Sequence, residues 1–435
     1  MSVMDRLNTI LNKVLLDPRF KNSIWMIAEK SISLFGLIFV ISAMAKYMGP
    51  KIYGYIALAT SIFLVVKAIA QMGLDQIYFK HASKGNTKSN LLLKNSIFII
   101  VKLYVFISFI ILFYYFFETQ IEEFILFTSV CISMLFLSAD VRAIHLDAVL
   151  RSKLNVFSNI IGLVLSLFVR YFIILYKLPV VFFAIPIIIL TIVPYFLRLL
   201  IFHKYKILHS KKNSFQNFFR YTRYIYIVGF PLTISILSVN IYLQSANFFL
   251  AKYEDMESVG KYSIAVMLAG SWYFLPTTFI LSFLPKIYET KSEESYLKEA
   301  SFILRWLILF TLLIVVSLFF IGGRVVDFLY GDAYSESILV FKILLISYFF
   351  SIIGFYFYRL IIKFSGFNFL AKKMFITCLI NLILCYFLVR KYGMIGAAFS
   401  SLITEFLSNI IFNLFYKDLK LVKLLKFSIL GRKYE

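Results

Sequence analysis

The chain has 435 residues, of which 61% are hydrophobic and 19% aromatic. Ordinary soluble domains are about 45–50% apolar, so this composition excludes a soluble globular protein and predicts a polytopic membrane protein. The formal net charge of +23 does not indicate nucleic-acid binding, because the basic residues fall between apolar runs, as the positive-inside rule describes.

Apolar runs close to the ~20-residue length that crosses a bilayer predict twelve transmembrane helices. In chain order they lie at about 24–46, 52–74, 91–116, 123–141, 154–176, 179–202, 224–250, 258–284, 300–322, 337–362, 369–389 and 394–416. The predicted fold class is an all-α polytopic membrane protein, with twelve transmembrane helices in two pseudo-symmetric six-helix lobes around a central cationic cavity.

The predicted organisation follows from the polar segments between these runs. An amphipathic cytoplasmic N-tail covers 1–23, the N-terminal lobe 24–202, a basic cytoplasmic linker 203–223, the C-terminal lobe 224–416 and a basic cytoplasmic tail 417–435. One alternate set of segments carries 31 Lys and Arg residues and the opposite set 7. This bias predicts that both termini are cytoplasmic.

A faint internal repeat supports two lobes. "IYGYIALA" (52–59) begins the second predicted span, "SVGKYSIA" (258–265) begins the eighth, and "KYGMIGAAFS" (391–400) begins the twelfth in a related way. Repeats related by an axis along the membrane normal are typical of transporters.

Charged residues inside the spans are costly in hydrocarbon and are expected to face protein or water. The predicted lumen cations are Lys30, Lys67, Lys102, Arg170, Arg305 and Lys342. Arg170, Arg305 and Lys342 lie near span ends, so snorkelling to the interface is an open alternative for them. Lys102 lies near the middle of its span and is the strongest of the six. The excess of cations predicts an anionic ligand.

Two carboxylates, Glu29 and Glu405, are the candidates for ion coupling. Glu405 either binds a proton or a cation, or it neutralises a lumen lysine. Asn240, Gln244 and Asn247 form a polar stripe at i, i+4, i+7 in the seventh span. This stripe either makes interhelical hydrogen bonds or forms a polar cavity wall that binds sugar hydroxyls.

The sequence has no pattern typical of a metal site or of an enzyme active site. The three cysteines lie in apolar segments without metal-ligand spacing, and packing is their expected role. The four histidines lie in or beside basic loops and are expected to be solvated. The predicted periplasmic loops are short and hold no acid/base or nucleophile constellation, so we predict a non-enzyme with no cofactor and no metal.

Several stretches together resemble a known family. "W…EK" followed by "AKYMGPKIYGYIALATSIF", then "FPLTIS…IYLQSANFFLAKY…SVGKYSIAVMLAGSWYFLP", "LYGDAYSESILVFKIL" and "KYGMIGAAFSS" are similar to polysaccharide-repeat-unit flippases of the Wzx type. These belong to the multidrug/oligosaccharidyl-lipid/polysaccharide (MOP) exporter superfamily. The chain departs from the family at Ala246, Asn247 and Gly270, where acidic residues are common. Glu29 and Glu405 therefore remain as the candidates for ion coupling.

The resemblance implies a MATE-like fold and a flippase in the bacterial inner membrane. Its substrate would be an undecaprenyl-diphosphate-linked oligosaccharide of O-antigen or capsule type, moved from the cytoplasmic to the periplasmic leaflet by alternating access. A proton or sodium gradient is the expected driving force. Membrane lipids, a polysaccharide polymerase and a chain-length regulator are the implied partners.

Four alternatives remain open. A purely structural scaffold would not need a lysine deep in the third predicted span. A multidrug exporter of the same superfamily would favour a lumen rich in carboxylates, since its typical substrates are cationic. A flippase for peptidoglycan precursors commonly has two further helices. A membrane-embedded polymerase or ligase tends to carry a large periplasmic loop with the reacting groups.

Overall fold

The computed structural model describes residues 32, 36–83, 89–204, 215–290 and 292–416. Within those ranges the secondary structure is helical, without a β-strand. Nine helical segments of this described part are long and apolar enough to cross a membrane. A backbone in lipid must satisfy its own hydrogen bonds, and helices do so within one segment. The predicted all-α membrane class is confirmed, whereas the count of twelve spans and the cavity between two lobes stay predictions.

The helices are numbered in chain order. They are α1 (Ser42–Gln71), α2 (Leu74–Ser83), α3 (Ser89–Glu118), α4 (Ile121–Ala139), α5 (Val141–Ala148), α6 (Ser152–Leu175), α7 (Ala184–Lys204), α8 (Phe215–Tyr253), α9 (Met256–Gly270), α10 (Phe274–Glu289), α11 (Glu293–Tyr330), α12 (Ser337–Lys363), α13 (Phe367–Phe406) and α14 (Phe412–Leu414). Two π-helical segments, Leu37–Ile41 and Leu407–Ile411, precede α1 and α14.

Two long helices are interrupted at a glycine. In α1, Gly49 has a φ of 76° and a ψ of 165°. In α13, Gly393 has a φ of 56° and a ψ of −133°. L-residues with a side chain rarely adopt such positive φ values, so glycine is the residue that fits these breaks. The breaks coincide with the polar gaps predicted between the first and second spans and between the last two.

Other boundaries differ from the prediction. Helix α8 begins at Phe215, so helix replaces part of the predicted linker. The eighth predicted span is divided into α9 and α10 by a turn at 271–273, directly before Pro276 in the first turn of α10. Proline is tolerated in a first turn, where its missing N–H has no helical partner. The short helices α2 and α5 were not predicted, and they pack against each other.

The chain packs as two units. The first consists of residues up to Tyr47 together with Ala59–Leu237, and the second consists of Met48–Leu58 together with Ser238–Glu435. In the first unit, α6 packs on α7 and α7 packs on α4. In the second, α12 packs on α9, α11 and α13. In this division residues 48–58 group with Ser238–Glu435. The predicted lobes at 24–202 and 224–416 stay predictions.

Within the second unit, α1 and α9 cross at a pair of glycines. A Cβ on Gly260 would lie 2.9 Å from the carbonyl carbon of Pro50 and closer to its oxygen. A Cβ on Gly54 would lie 2.8 Å from the carbonyl carbon of Met256 and closer to its oxygen. The contact is therefore reciprocal. Gly260 lies against the carbonyl of Pro50, four residues before Gly54, and Gly54 lies against the carbonyl of Met256, four residues before Gly260. This reciprocity matches the repeat of "IYGYIALA" and "SVGKYSIA", whose glycines are Gly54 and Gly260.

Candidate functional site

Lys67 lies on α1 in the first unit and is half-buried. The carboxylate of Asp75, in the first turn of α2, acts electrostatically on its ammonium. The two helices are joined by Met72 and Gly73, which both have positive φ values, 47° and 65°. Since an opposite charge offsets part of the desolvation cost, Lys67 is a partly compensated cation.

Lys102 lies on α3 and is exposed. Its neighbours on the same helix face are also exposed: Phe98 at 58%, Phe106 at 67% and Phe109 at 68%. The spacing i−4, i+4, i+7 puts these rings on one surface with the lysine. A surface so rich in phenylalanine is suited to acyl chains rather than to water.

Arg170 lies on the buried face of α6 and is only 4% exposed. The same face carries Ser158, Gly162 and Ser166, which allow α7 to approach closely. Ser166 donates a hydrogen bond of 2.8 Å to the carbonyl oxygen of Pro186. Arg170 is therefore an interior residue of the first unit.

A buried ion pair that the sequence analysis missed joins α4 and α7. Arg198 is 4% exposed, and it lies near the end of the predicted span 179–202. Its guanidinium donates to Asp140 at 2.7 Å and, also at 2.7 Å, to the side-chain oxygens of Asn155 and Asn159. Asn155 also donates to Asp147 at 3.0 Å. The pair is thus buried with its hydrogen bonds made, the arrangement that a desolvated charge requires.

The expectation of solvated histidines is wrong for His145. This residue of α5 is 9% exposed, and its Nδ1 lies 2.8 Å from the Tyr78 hydroxyl on α2. Phe202 of α7 packs edge-on against the imidazole, with ring centroids 5.3 Å apart. Burial raises the pKa of the Tyr78 phenol. A position between apolar runs predicts solvent contact for His145, because the packing of α2 against α5 is not visible in local sequence.

In the second unit, Arg305 and Lys342 are half-buried. The Lys342 ammonium lies over the ring of Phe319, 5.1 Å from its centroid. Lys342 also lines a cavity of about 780 Å³, together with Glu254 and Glu336. Lys342 therefore lines an open cavity, and Arg305 is not among the residues that line it.

The polar stripe on α8 is half-buried at Asn240, Gln244 and Asn247. Ser263 of α9 donates a hydrogen bond of 3.3 Å to the side-chain oxygen of Asn247. This contact fits the interhelical alternative for Asn247. Such bonds contribute about 0.6 kcal/mol on average in membranes.

Hydrogen bonds join the part of α13 before Gly393 to the part after it and to the segment that follows α13. We call this set of side-chain pairs the polar ladder. Four side-chain pairs form it: Lys373 with Asn413 at 3.1 Å, Thr377 with Ser408 at 3.0 Å, Asn381 with Thr404 at 3.1 Å, and Cys385 with Ser400 at 2.8 Å. Ser245 of α8 adds a hydrogen bond of 2.5 Å to Asn381. Lys373 is 3% exposed, and it lies near the start of the predicted span 369–389. Lys373, Thr377, Asn381 and Cys385 follow one another at intervals of four residues, and this spacing was the available signal.

Glu405 is half-buried beside this ladder. It accepts a hydrogen bond from the side-chain amide of Asn409, one helical turn later. Glu29 and Lys30 lie outside the described residues, as do the N-tail and the C-terminal tail. In the part of the chain that the structure describes, no group of three or more His, Cys, Asp and Glu side chains could hold a metal ion.

Residues 20–284 match the family described as "Polysaccharide biosynthesis protein". This match covers more than half of the chain, so the chain belongs to that family. No curated protein sequence matches it.

Solved structures agree on the fold. The structure titled "Lipid II flippase MurJ, inward closed conformation" has a TM-score of 0.71 at 17% identity, covering 94% of this chain and 90% of that chain. An inward-facing multidrug resistance MATE family transporter of the MOP superfamily has a TM-score of 0.66 at 13% identity, covering 90% and 94%. A MATE protein in a bent conformation has a TM-score of 0.53 at 15% identity, covering 95% and 97%. The chain therefore has the fold of MOP-superfamily transporters.

Proposed function

We propose that this member of the polysaccharide biosynthesis family is a flippase. It moves undecaprenyl-diphosphate-linked oligosaccharide units, of O-antigen or capsule type, from the cytoplasmic to the periplasmic leaflet of a bacterial inner membrane by alternating access. It does so with both termini in the cytoplasm and without a catalytic step. A polysaccharide polymerase and a chain-length regulator are the expected partners downstream.

The observation that carries this proposal is the set of cations inside the apolar helices. Lys67 and Lys342 are half-buried, and each would be costly in hydrocarbon without an anionic or polar partner. Arg170 and Arg305 add to the positive charge of the apolar helices, and both already interact with other groups of the protein. A diphosphate offers several acceptor oxygens and negative charge, which Lys and Arg bind well. A neighbour in fold is titled a lipid II flippase, so a lipid-linked substrate is also consistent with the architecture.

Lys102 is left out of the proposed diphosphate site. Its α3 face is rich in exposed phenylalanine, and such a face suits contact with lipid chains. The sequence-based expectation of a lumen position for Lys102 is therefore replaced by a proposed membrane-facing position.

Ion coupling is assigned to Glu405, with Glu29 as the second candidate. The polar side chains Asn240, Gln244 and Asn247 are proposed to form a cavity wall that binds sugar hydroxyls, and Asn247 also accepts a hydrogen bond from Ser263 of α9. The prenyl chain stays in lipid. Collapse of both the proton and the sodium gradient in proteoliposomes is expected to stop translocation, and undiminished translocation would refute coupling.

The function is tested in a strain that lacks this gene. Surface polysaccharide and the pool of diphosphate-linked repeat units are quantified, with and without the gene on a plasmid. Loss of the polysaccharide together with accumulation of full-length units facing the cytoplasm is the expected result. Units that reach the periplasm but stay unpolymerised would indicate an enzyme instead.

The cation site is tested by a matched pair of lysines in the same strain. Lys342→Ala is expected to abolish surface polysaccharide and Lys342→Arg to retain part of it, because a positive charge beside the cavity is needed. Lys102→Ala is expected to support polysaccharide at the wild-type level. Equal loss in Lys342→Ala and Lys102→Ala would contradict the assignment.

A multidrug exporter is the second candidate, favoured by the similarity of fold to a MATE family transporter. It predicts that the deletion strain keeps its polysaccharide and becomes sensitive to cationic drugs. The cations inside the apolar helices argue against this candidate, since like charges would repel such drugs. The carboxylates of Glu254, Asp255 and Glu336 at the cavity beside Lys342 are the observation in its favour.

A further inference from the structure

Lys373 is a buried ammonium that the proposed transport mechanism does not use. It lies near the start of α13, and its side chain is 3% exposed. Its Nζ donates one hydrogen bond, of 3.1 Å, to the side-chain oxygen of Asn413. Neither Lys373 nor Glu405 takes part in an ion pair among the described residues. We propose that Lys373 is the counter-charge of Glu405, linked to it through Asn413 and Asn409, and that it is a positioning residue for that carboxylate.

The link consists of three hydrogen bonds that run in one direction, the last two joined through the covalent bonds of Asn409. Lys373 donates to the side-chain oxygen of Asn413. The side-chain amide of Asn413 donates to the backbone oxygen of Asn409 at 2.8 Å. The side-chain amide of Asn409 donates to Glu405. The cation therefore lies at the donor end and the carboxylate at the acceptor end, which is the orientation that both charges favour.

The geometry of one helix sets the length of this chain. Glu405, Asn409 and Asn413 are four residues apart, so they share a face, and about 12 Å of helix separates the first from the last. The π-helical segment Leu407–Ile411 includes Asn409. Short π-helical segments within α-helices are frequent at functional sites.

Helix α12 holds the middle of the chain in place. The side chain of Asn409 packs directly on Gly354, where a Cβ would lie 2.7 Å from the Asn409 Cβ and closer to its amide. Asn409 and Asn413 are 8% and 0% exposed. Water therefore does not replace the amides easily, and the two charges depend on the same protein groups.

Two buried charges of opposite sign are less costly together than either is alone. Removal of the Lys373 ammonium leaves Glu405 as an uncompensated carboxylate, and removal of the carboxylate leaves the ammonium uncompensated. Removal of both restores neutrality. The coupling role of Glu405 rests on the proposed function, but the energetic link between the two residues does not.

The link is tested first by thermal unfolding of the full-length protein in detergent. Lys373→Met, Glu405→Gln and the double variant are compared with wild type as a double-mutant cycle. Lys373→Met is expected to lower the melting midpoint by several degrees, and the double variant is expected to recover most of that loss. The exposed neighbour Lys372 supplies the matched control, since Lys372→Met is expected to melt like wild type.

Additive losses in the double variant would overturn the proposal. If the Lys373→Met protein cannot be recovered from membranes, the yield of the double variant replaces the melting midpoint as the test. A double variant that also cannot be recovered counts against the link. Asn413→Leu breaks the chain while both charges remain, and it is expected to lower the midpoint as well. A wild-type midpoint for Asn413→Leu would exclude the route through Asn413.

The positioning role is tested in proteoliposomes with lipid-linked repeat units extracted from the deletion strain. Lys373→Met is expected to lose the gradient dependence of translocation, and Lys373→Arg to keep it. Loss of total transport with unchanged gradient dependence would reduce Lys373 to a structural residue. If Glu405→Gln keeps full gradient dependence, ion coupling at Glu405 fails, and the unfolding cycle still decides the link.

Discussion

The crossing of Gly54 and Gly260 leaves no room for a methyl group. We expect Gly260→Ala to destabilise the protein, because its Cβ would lie 2.9 Å from the carbonyl carbon of Pro50 and 3.1 Å from the amide nitrogen of Gly54. Favourable carbon contacts lie at about 3.5–4.0 Å. Both obstacles are backbone atoms, so α1 and α9 must move apart rather than one side chain turning away.

The magnitude follows from two opposing effects. Inserting a methyl into a packed core costs about 1–3 kcal/mol, and rigid backbone obstacles favour the upper end. Alanine gains up to about 1 kcal/mol over glycine from helix propensity. The net loss for Gly260→Ala is then about 2 kcal/mol. Gly323 of α11 supplies the control, since its added Cβ would meet only Ile338, at an ordinary 3.5 Å.

The assay is thermal unfolding of purified full-length variants in detergent, followed by tryptophan fluorescence. Gly260→Ala is expected to melt several degrees below wild type and Gly323→Ala at or above it. Gly54→Ala is expected to resemble Gly260→Ala, because the contact is reciprocal. A melting midpoint of Gly260→Ala equal to that of Gly323→Ala would refute the reasoning.

Three further substitutions test the interior of the two units. Arg198→Met is expected to cost about 3–5 kcal/mol in stability because it leaves Asp140 buried and unpaired, and Arg198→Met combined with Asp140→Leu should recover most of it; chemical denaturation measures both. Tyr78→Phe removes the hydrogen bond to His145 and is expected to lower the free energy of unfolding by about 0.5–1.5 kcal/mol in the same assay. A larger loss would show that the hydroxyl does more than make one hydrogen bond between neutral groups. Thr377→Val removes one step of the polar ladder and is expected to cost about 0.5–1 kcal/mol with transport retained, which complementation of the deletion strain checks.

Much of the fold was predictable because it follows from local composition. The apolar runs and their polar gaps predict helices close to α3, α4, α6 and α12, and the gaps at Gly49 and Gly393 appear as breaks inside long helices. Hydropathy measures whether a residue prefers lipid or water, and the residues of these segments have a uniform preference for lipid.

The candidate site was less predictable because it depends on partners far apart in the chain. Arg198 and Lys373 are basic residues near span ends, where the sequence favours solvent, yet each is buried by residues of another segment. Lys102 shows the converse. Its depth in an apolar run predicts a lumen position, and this stays a prediction. The exposed side chains of Phe98, Phe106 and Phe109 are the basis of the membrane-facing position proposed above. The position of a residue along its apolar run can be read from the sequence. The side of the helix that faces lipid or protein depends on tertiary packing.

The polar ladder also bears on how the chain enters the bilayer during synthesis. The segment before Gly393 carries Lys373 and Asn381, and the segment after it carries Glu405 and Asn413, so each alone would present polar groups to hydrocarbon. The translocon tolerates such groups poorly in isolated helices. If the two segments pass from the translocon as one hairpin, their polar groups already bind each other when they meet lipid. The last helices would then be released into the membrane together, as a single unit of biogenesis.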